Sequence, residues 1–239
     1  MHVVKGVLFD YGLTLVSYRF PEAELVEAME EARAWLDAPA PSAVWILDHV
    51  LLPLEAGLGS LEPGSGGYFA HYVAAWRRAG IWAPEGILYR ILDLEQQVWD
   101  GAVQVAPGAR AALRGLNSRG YRLGIASNAP FPPAMMRRQL SKHGFTDLVH
   151  AIQLSGEVGL KKPDPRFYAA AALSLGVAAP EVLHVGDSYR EDYEGARLAG
   201  MEAMLCTQLA RLAPPADTRR IDRLDELLRL LPGLTETEG

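Results

Sequence analysis

Two hydrophobic periods divide the chain. Between residues 17 and 100, apolar positions recur at spacings of three and four: Leu25, Met29, Ala32 and Leu36, then Phe69, Tyr72, Val73 and Trp76, then Ile87, Ile91, Leu94 and Val98. That spacing lays an apolar stripe along an α-helix, so three or four helices are expected there. Pro21 and Pro84, each followed by Glu, suit helix first turns, where proline loses no hydrogen bond and the acid meets the positive helix end. Outside that segment the pattern changes to short β-branched or apolar runs at residues 3–9, 122–126, 149–154, 182–185 and 203–206, most of them separated by helix-like stretches. Such alternation predicts an α/β fold with a mainly parallel sheet covered on both faces, and residues 224–231 read as a closing helix.

Composition sharpens the division. The chain has 239 residues, 49% hydrophobic and 22% charged, enough for one large domain or for a core plus a smaller module. Residues 17–100 contain five Arg, no Lys and thirteen Asp or Glu, together with all five tryptophans (Trp35, Trp45, Trp76, Trp82 and Trp99). A boundary near each end of this acidic stretch is expected. The glycine-rich run at residues 57–67 has no following Lys-Ser/Thr and no preceding strand, so it reads as a connection rather than a phosphate loop. With a formal charge of −6 and no segregated basic patch, no nucleic-acid partner is expected. No apolar stretch reaches the roughly 18 residues of a membrane span. Asp10 stands where a signal peptide would continue its apolar run, so a cytoplasmic protein is expected. The single cysteine, Cys206, excludes an internal disulfide and a thiolate zinc site.

In parallel sheets the ligand crevice lies beyond the carboxyl ends of the strands. There the sequence places Asp10, then Ser127 and Asn128, then Asp187, each directly after an apolar run. Carboxylates gathered at one buried edge need a cation, and an oxygen-only donor set points to Mg2+. Lys161 and Lys162 are two of only four lysines, and they precede Asp164 and Pro165, which suit the N-cap and first residue of a helix. A lysine at that position would neutralise an anion held between sheet and helix.

Four segments, FDYGLTL at 9–15, GIASN at 124–128, SGEVGLKKPDPRFY at 155–168 and HVGDSYREDYEGARLAGM at 184–201, resemble in order the motifs of the haloacid dehalogenase-like hydrolase superfamily. The resemblance implies a Rossmann-like α/β core over residues 1–16 and 101–239. The inserted all-helical cap domain, of the C1 type, would occupy residues 17–100. It further implies a Mg2+-dependent phosphohydrolase of small phosphorylated metabolites, with Asp10 as the nucleophile that forms an aspartyl-phosphate. The metal would be held by Asp10, the Gly12 carbonyl and Asp187, with Asp192 in its outer shell or sharing in ligation. Ser127 and the Asn128 backbone would bind phosphoryl oxygens, and Lys162 would neutralise Asp10 and the developing charge. Ser188 and Glu191 fit a capping box for the helix carrying Asp192, Gly200 suits its C-cap, and Thr14 is expected to bond backbone in its turn.

Gly12 departs from the superfamily's pattern, which places a second Asp two residues after the nucleophile as general acid and base. That group is typically worth ~10²–10⁴-fold, or about 3–5 kcal/mol of barrier. Substrates whose leaving group needs little protonation, or an acid from the cap such as His49, His71 or a glutamate, would answer the loss. A 2-haloacid dehalogenase and a phosphonate hydrolase are alternatives that also lack this Asp. DYGLTL differs from the dehalogenase pattern DxYGTL, and the absence of lysine from 17–100 removes the Schiff base a phosphonate hydrolase needs. A non-catalytic phosphate- or protein-binding relative is the third alternative, opposed by the retention of Asp10, Lys162 and Asp187. A monomer or homodimer is expected, the apolar face of residues 44–54 serving as cap core or dimer contact, and the lid is expected to open through connections near Ser17 and Asp100.

Overall fold

The computed structural model describes residues 3–61 and 67–234. Eight strands occur among them: β1 (Gly6–Phe9), β2 (Val16–Tyr18), β3 (Val103–Val105), β4 (Arg122–Ser127), β5 (Ala151–Leu154), β6 (Val182–Gly186), β7 (Glu202–Cys206) and β8 (Arg220–Ile221). Six form one parallel sheet in the order β5-β4-β1-β6-β7-β8, and β2 pairs with β3 separately. This is the α/β fold expected from the alternating runs. The first run is shorter than expected, starting at Gly6, and the two- and three-residue strands β2, β3 and β8 are additions too short to show a period of two.

Strand β1 lies at the centre, with Leu8 level with Gly124 on one side and His184 on the other. Leu8 and Ala126 pack with Phe167, Tyr168, Ala171 and Leu175 of the helix Pro165–Leu175. Val7, Phe9, Leu123 and Ile125 alternate to the opposite face and are equally buried, so these strands read as continuous apolar runs rather than alternating ones. Gly124 permits the close helix packing, because a Cβ there would lie 2.8 Å from Leu8 Cδ2 and 3.3 Å from Leu175 Cδ1.

The chain divides into two compact units, one of Met1–Ser17, Gln104–Ala129 and Leu140–Gly239, the other of Tyr18–Val103 and Pro130–Gln139. The second unit therefore extends the acidic stretch by residues 101–103 and takes in a segment from beyond it. Arg138 and Gln139 account for that addition: Arg138 Nε donates to Asp100 Oδ2 at 2.8 Å, Arg138 Nη1 to Asp93 Oδ1 at 2.5 Å, and Gln139 Nε2 to Asp100 Oδ1 at 3.0 Å. No spacing in the sequence announces such side-chain ties.

The helical unit contains helices Glu22–Arg33, Gly67–Arg78 and Glu85–Ala102, with a broken helix over 43–57. Pro21 and Pro84 sit one place earlier than expected, at the N-caps. The break follows from Pro53, which cannot donate to the carbonyl four residues back; the preceding turn widens so that Leu52 N reaches Leu47 O. Ile46, Leu47, Val50, Leu51 and Leu54 pack within this unit as core, whereas Val44 and Leu52 of the same face are exposed. On Glu85–Ala102 the buried positions include Leu88, Ile91, Leu92 and Glu95, while Ile87, Leu94 and Val98 are only partly buried. Tertiary packing has rotated the expected stripe and drawn in a carboxyl group. Glu95 is 2% exposed, and burial, helped by Glu55, pushes its carboxyl up to about 8. Among the described helices none is long and apolar enough to cross a membrane.

Candidate active site

At the end of β1, Asp10 N donates to Val185 O at 2.9 Å, which keeps the residue in register with β6 and aims it beyond the sheet edge. The chain then turns back tightly: Leu15 N and Val16 N both donate to Tyr11 O, and Leu13 takes a left-handed φ of 58°. A non-glycine residue there carries steric strain of roughly 1–2 kcal/mol. Gly12 forms a bridge to Val16 in this turn. Thr14 does not bond the backbone as expected; it is buried, and its hydroxyl has no hydrogen-bond partner among the described residues.

Lys162 arrives from the loop before the helix Pro165–Leu175. Asp164 caps that helix, accepting from Arg166 N at 2.9 Å, with Pro165 at its first position. Asn128 fixes the loop from the other side. Its Oδ1 accepts from Lys162 N at 2.8 Å, and its Nδ2 donates to Lys162 O at 3.0 Å and to Glu191 Oε2 at 3.1 Å. The Asn128 side chain thus holds Lys162 in place. Lys162 is 1% exposed, with Nζ 2.8 Å from Asp10 Oδ1 and 2.6 Å from Asp192 Oδ1.

Asp192 stands on the first turns after β6. Ser188 Oγ accepts from Glu191 N at 3.3 Å, but the capping box is only half made, because the Glu191 carboxylate is taken by Asn128. Ser188 N donates instead to Asp192 Oδ2 at 2.9 Å. Gly186 makes room for this arrangement: a Cβ there would lie 2.1 Å from Asp192 Cγ. His184, which no motif role singles out, completes the set with Nε2 2.9 Å from Asp192 Oδ1. Its signal was a lone polar residue in the buried run Val-Leu-His-Val-Gly.

The structure brings together Asp10, Ser127, Lys162, Asp187 and Asp192, and Lys161 is half-buried. Carboxylate oxygens of Asp10, Asp187 and Asp192 lie within 4.8 Å of one another. Burial raises the Asp10 carboxyl, Lys162 opposes the rise, Asp192 adds to it, and a hydrogen bond from Ser127 favours the anion. Burial, with the Asp10 and Asp192 carboxylates adding to it, pushes half-buried Asp187 up to about 7. Asp192 moves the other way, because Lys162 and His184 outweigh its burial and hold the carboxyl well below its usual range. The same two carboxylates overcome the burial of Lys162 and keep its ammonium charged.

Three carboxyl groups thus face one ammonium, an imbalance that a cation would relieve. Asp10 Oδ1 is buried, and although Lys162 lies close to it, it takes no well-aligned hydrogen bond. An all-oxygen donor set with surplus negative charge fits a hard divalent cation and suits neither a thiolate nor an imidazole metal.

A family model described as haloacid dehalogenase-like hydrolase matches residues 4–200. The chain belongs to that family. Phosphoserine phosphatase of Thermus thermophilus is 39% identical over 98 residues, 41% of this chain and 39% of its own length. Phosphoglycolate phosphatase of Cereibacter sphaeroides is 40% identical over 133 residues, 53% of this chain and 59% of its own. The match spans less than two thirds of these relatives. Glyceraldehyde 3-phosphate phosphatase of Methanopyrus kandleri matches more broadly, at 32% identity over 207 residues, 83% of this chain and 82% of its own. Among solved structures, a HAD phosphatase from Thermococcus onnurineus superposes with a TM-score of 0.67 at 20% identity, covering 96% of this chain and 99% of that one. A 2-haloacid dehalogenase from Pseudomonas syringae does so with 0.70 at 22% identity, covering 96% and 98%. At these identities the likeness is one of fold, common to phosphatase and dehalogenase alike.

Proposed function

We propose that this hydrolase cleaves small phosphorylated metabolites with the help of a divalent cation, Mg2+ by the chemistry of its donors, and that Asp10 is its nucleophile. One observation carries the reading: the Lys162 ammonium lies between the Asp10 and Asp192 carboxylates, in a cluster that also includes Asp187. Such a cluster is costly to bury and gains nothing for folding that apolar residues would not supply. The phosphatase names of the three curated relatives support the same reading.

In this proposal a carboxylate oxygen of Asp10 attacks phosphorus as the P–O bond to the leaving group breaks, and the leaving oxygen takes the electron pair. A water molecule then attacks phosphorus as the P–O bond to Asp10 breaks, releasing phosphate and restoring the Asp10 carboxylate, and the proton that the water gives up passes through solvent to balance the leaving oxygen. Lys162 holds Asp10 ionised and aligned, Ser127 and the Asn128 backbone hydrogen-bond the phosphoryl oxygens, and Asn128 fixes the Lys162 loop. Asp10, the Gly12 carbonyl and Asp187 would hold the cation, with Asp192 behind them because both its oxygens already accept hydrogen bonds. When bound, the cation would screen the repulsion between carboxylate and phosphoryl oxygens. The helical unit would act as the cap that selects the substrate.

Because Gly12 supplies no acid, turnover should favour leaving groups stable as anions. With Mg2+, an aryl phosphate should be cleaved faster than an alkyl phosphate; Asp10→Asn should abolish both, and Gly12→Asp should raise the alkyl rate. Hydrolysis indifferent to Mg2+ and to Asp10→Asn would overturn the proposal.

A further inference from the structure

Strand β6 is buried at every position, and along Val-Leu-His-Val-Gly only His184 is polar. Its ring is fully buried, with Nε2 directed at Asp192 Oδ1 and Nδ1 without a hydrogen-bond partner among the described residues. A carboxylate oxygen only accepts, so Nε2 carries the proton. Leucine would fill this place without stranding a polar atom, and a buried group left unpaired is destabilising. Packing alone therefore does not account for a histidine here. Tyr168 fixes the ring from the side, perpendicular to it at 5.7 Å, and is itself anchored by its hydroxyl donating to Glu191 O.

Asp192 Oδ1 is the one oxygen shared by His184 and Lys162, at 2.9 and 2.6 Å. Lys162 Nζ in turn is shared between that oxygen and Asp10 Oδ1, 2.8 Å away. Two donors on one carboxylate oxygen compete for the same electron density, so each is held less tightly than it would be alone. We propose that His184 is a positioning residue that acts through Asp192: by occupying part of Oδ1 it limits Asp192's hold on the Lys162 ammonium and keeps that charge on Asp10. Without it, Asp192 draws the ammonium away from the reacting carboxylate. The inference rests on the proposed function only where it concerns turnover.

The test compares His184→Leu, which removes the donor at similar volume, with His184→Gln, whose amide still donates. At saturating Mg2+, kcat for an aryl phosphate should fall about 10–100-fold in His184→Leu while KM changes by less than about threefold, and His184→Gln should recover most of the loss. A second readout needs neither substrate nor metal. The chain has four lysines, so the nitrogen-15 resonance of the Lys162 ammonium is assignable, and it should shift in His184→Leu and return in His184→Gln. Should His184→Leu fail to fold, His184→Asn, whose amide is too short to reach Asp192, takes its place. An unshifted Lys162 resonance, or equal losses in donor and non-donor variants, overturns the proposal. An inactive wild type would refute the phosphatase reading and leave the resonance to decide this one.

Discussion

Glu95→Gln should stabilise the protein in alkaline solution and leave it nearly unchanged in acid. Burial, with Glu55 adding to it, moves the Glu95 carboxyl from 4.5 to about 8, and its Oε2 has no hydrogen-bond partner among the described residues. Folded protein therefore holds a proton that unfolded chain releases. Its contribution is fully present below 4.5, declines as pH rises, and is gone once pH passes about 8. The separation of roughly 3.5 units, at about 1.36 kcal/mol each, sets a loss on the order of 5 kcal/mol across that window. Gln keeps the shape of a neutral acid and does not ionise. All five tryptophans lie in Tyr18–Val103, so urea unfolding followed by tryptophan fluorescence reports on the unit that contains Glu95. The gap between variant and wild type should open between 4.5 and about 8 and then level off. A gap of the same size at every pH, or wild-type stability that rises relative to the variant through this window, would refute the reasoning.

Lys162→Met leaves Asp10 and Asp192 buried without their shared cation, and should cost about 3–5 kcal/mol in urea unfolding as well as abolish turnover. Gly186→Ala forces its methyl into the space of Asp192 Cγ and should cost about 1–3 kcal/mol with a parallel loss of kcat, both measured on one preparation. Mg2+ at a hundred times its Kd should stabilise the wild type by about 2.7 kcal/mol in thermal unfolding, reversed by EDTA and much reduced in Asp187→Asn.

Much of the fold was legible because its signals are local. Short continuous apolar or β-branched runs distinguished β1, β4, β5, β6 and β7 from the longer helical stretches, and Asp164 with Pro165 marked a helix start by residue type alone. Strands β2, β3 and β8 were hidden by their two- or three-residue length, and of the expected capping box the Ser188 half is made while Glu191 turns to Asn128 instead.

Residue types at the ends of apolar runs were enough to nominate Asp10, Ser127, Asn128 and Asp187, since parallel strands deliver their carboxyl ends to a common edge, and the scarcity of lysine pointed to the pair Lys161 and Lys162, of which the family resemblance chose Lys162. Which of those groups would touch was settled by contacts between residues far apart in the chain. Lys162 and Asp192 are thirty positions apart, and what joins them is a buried charge that must find its counter-charge, not any spacing. His184 and Glu95 make the same point from the apolar side: His184 stands within an apolar run, Glu95 lies beside the expected stripe and is drawn in by packing, and only the tertiary structure shows what each buried polar group faces.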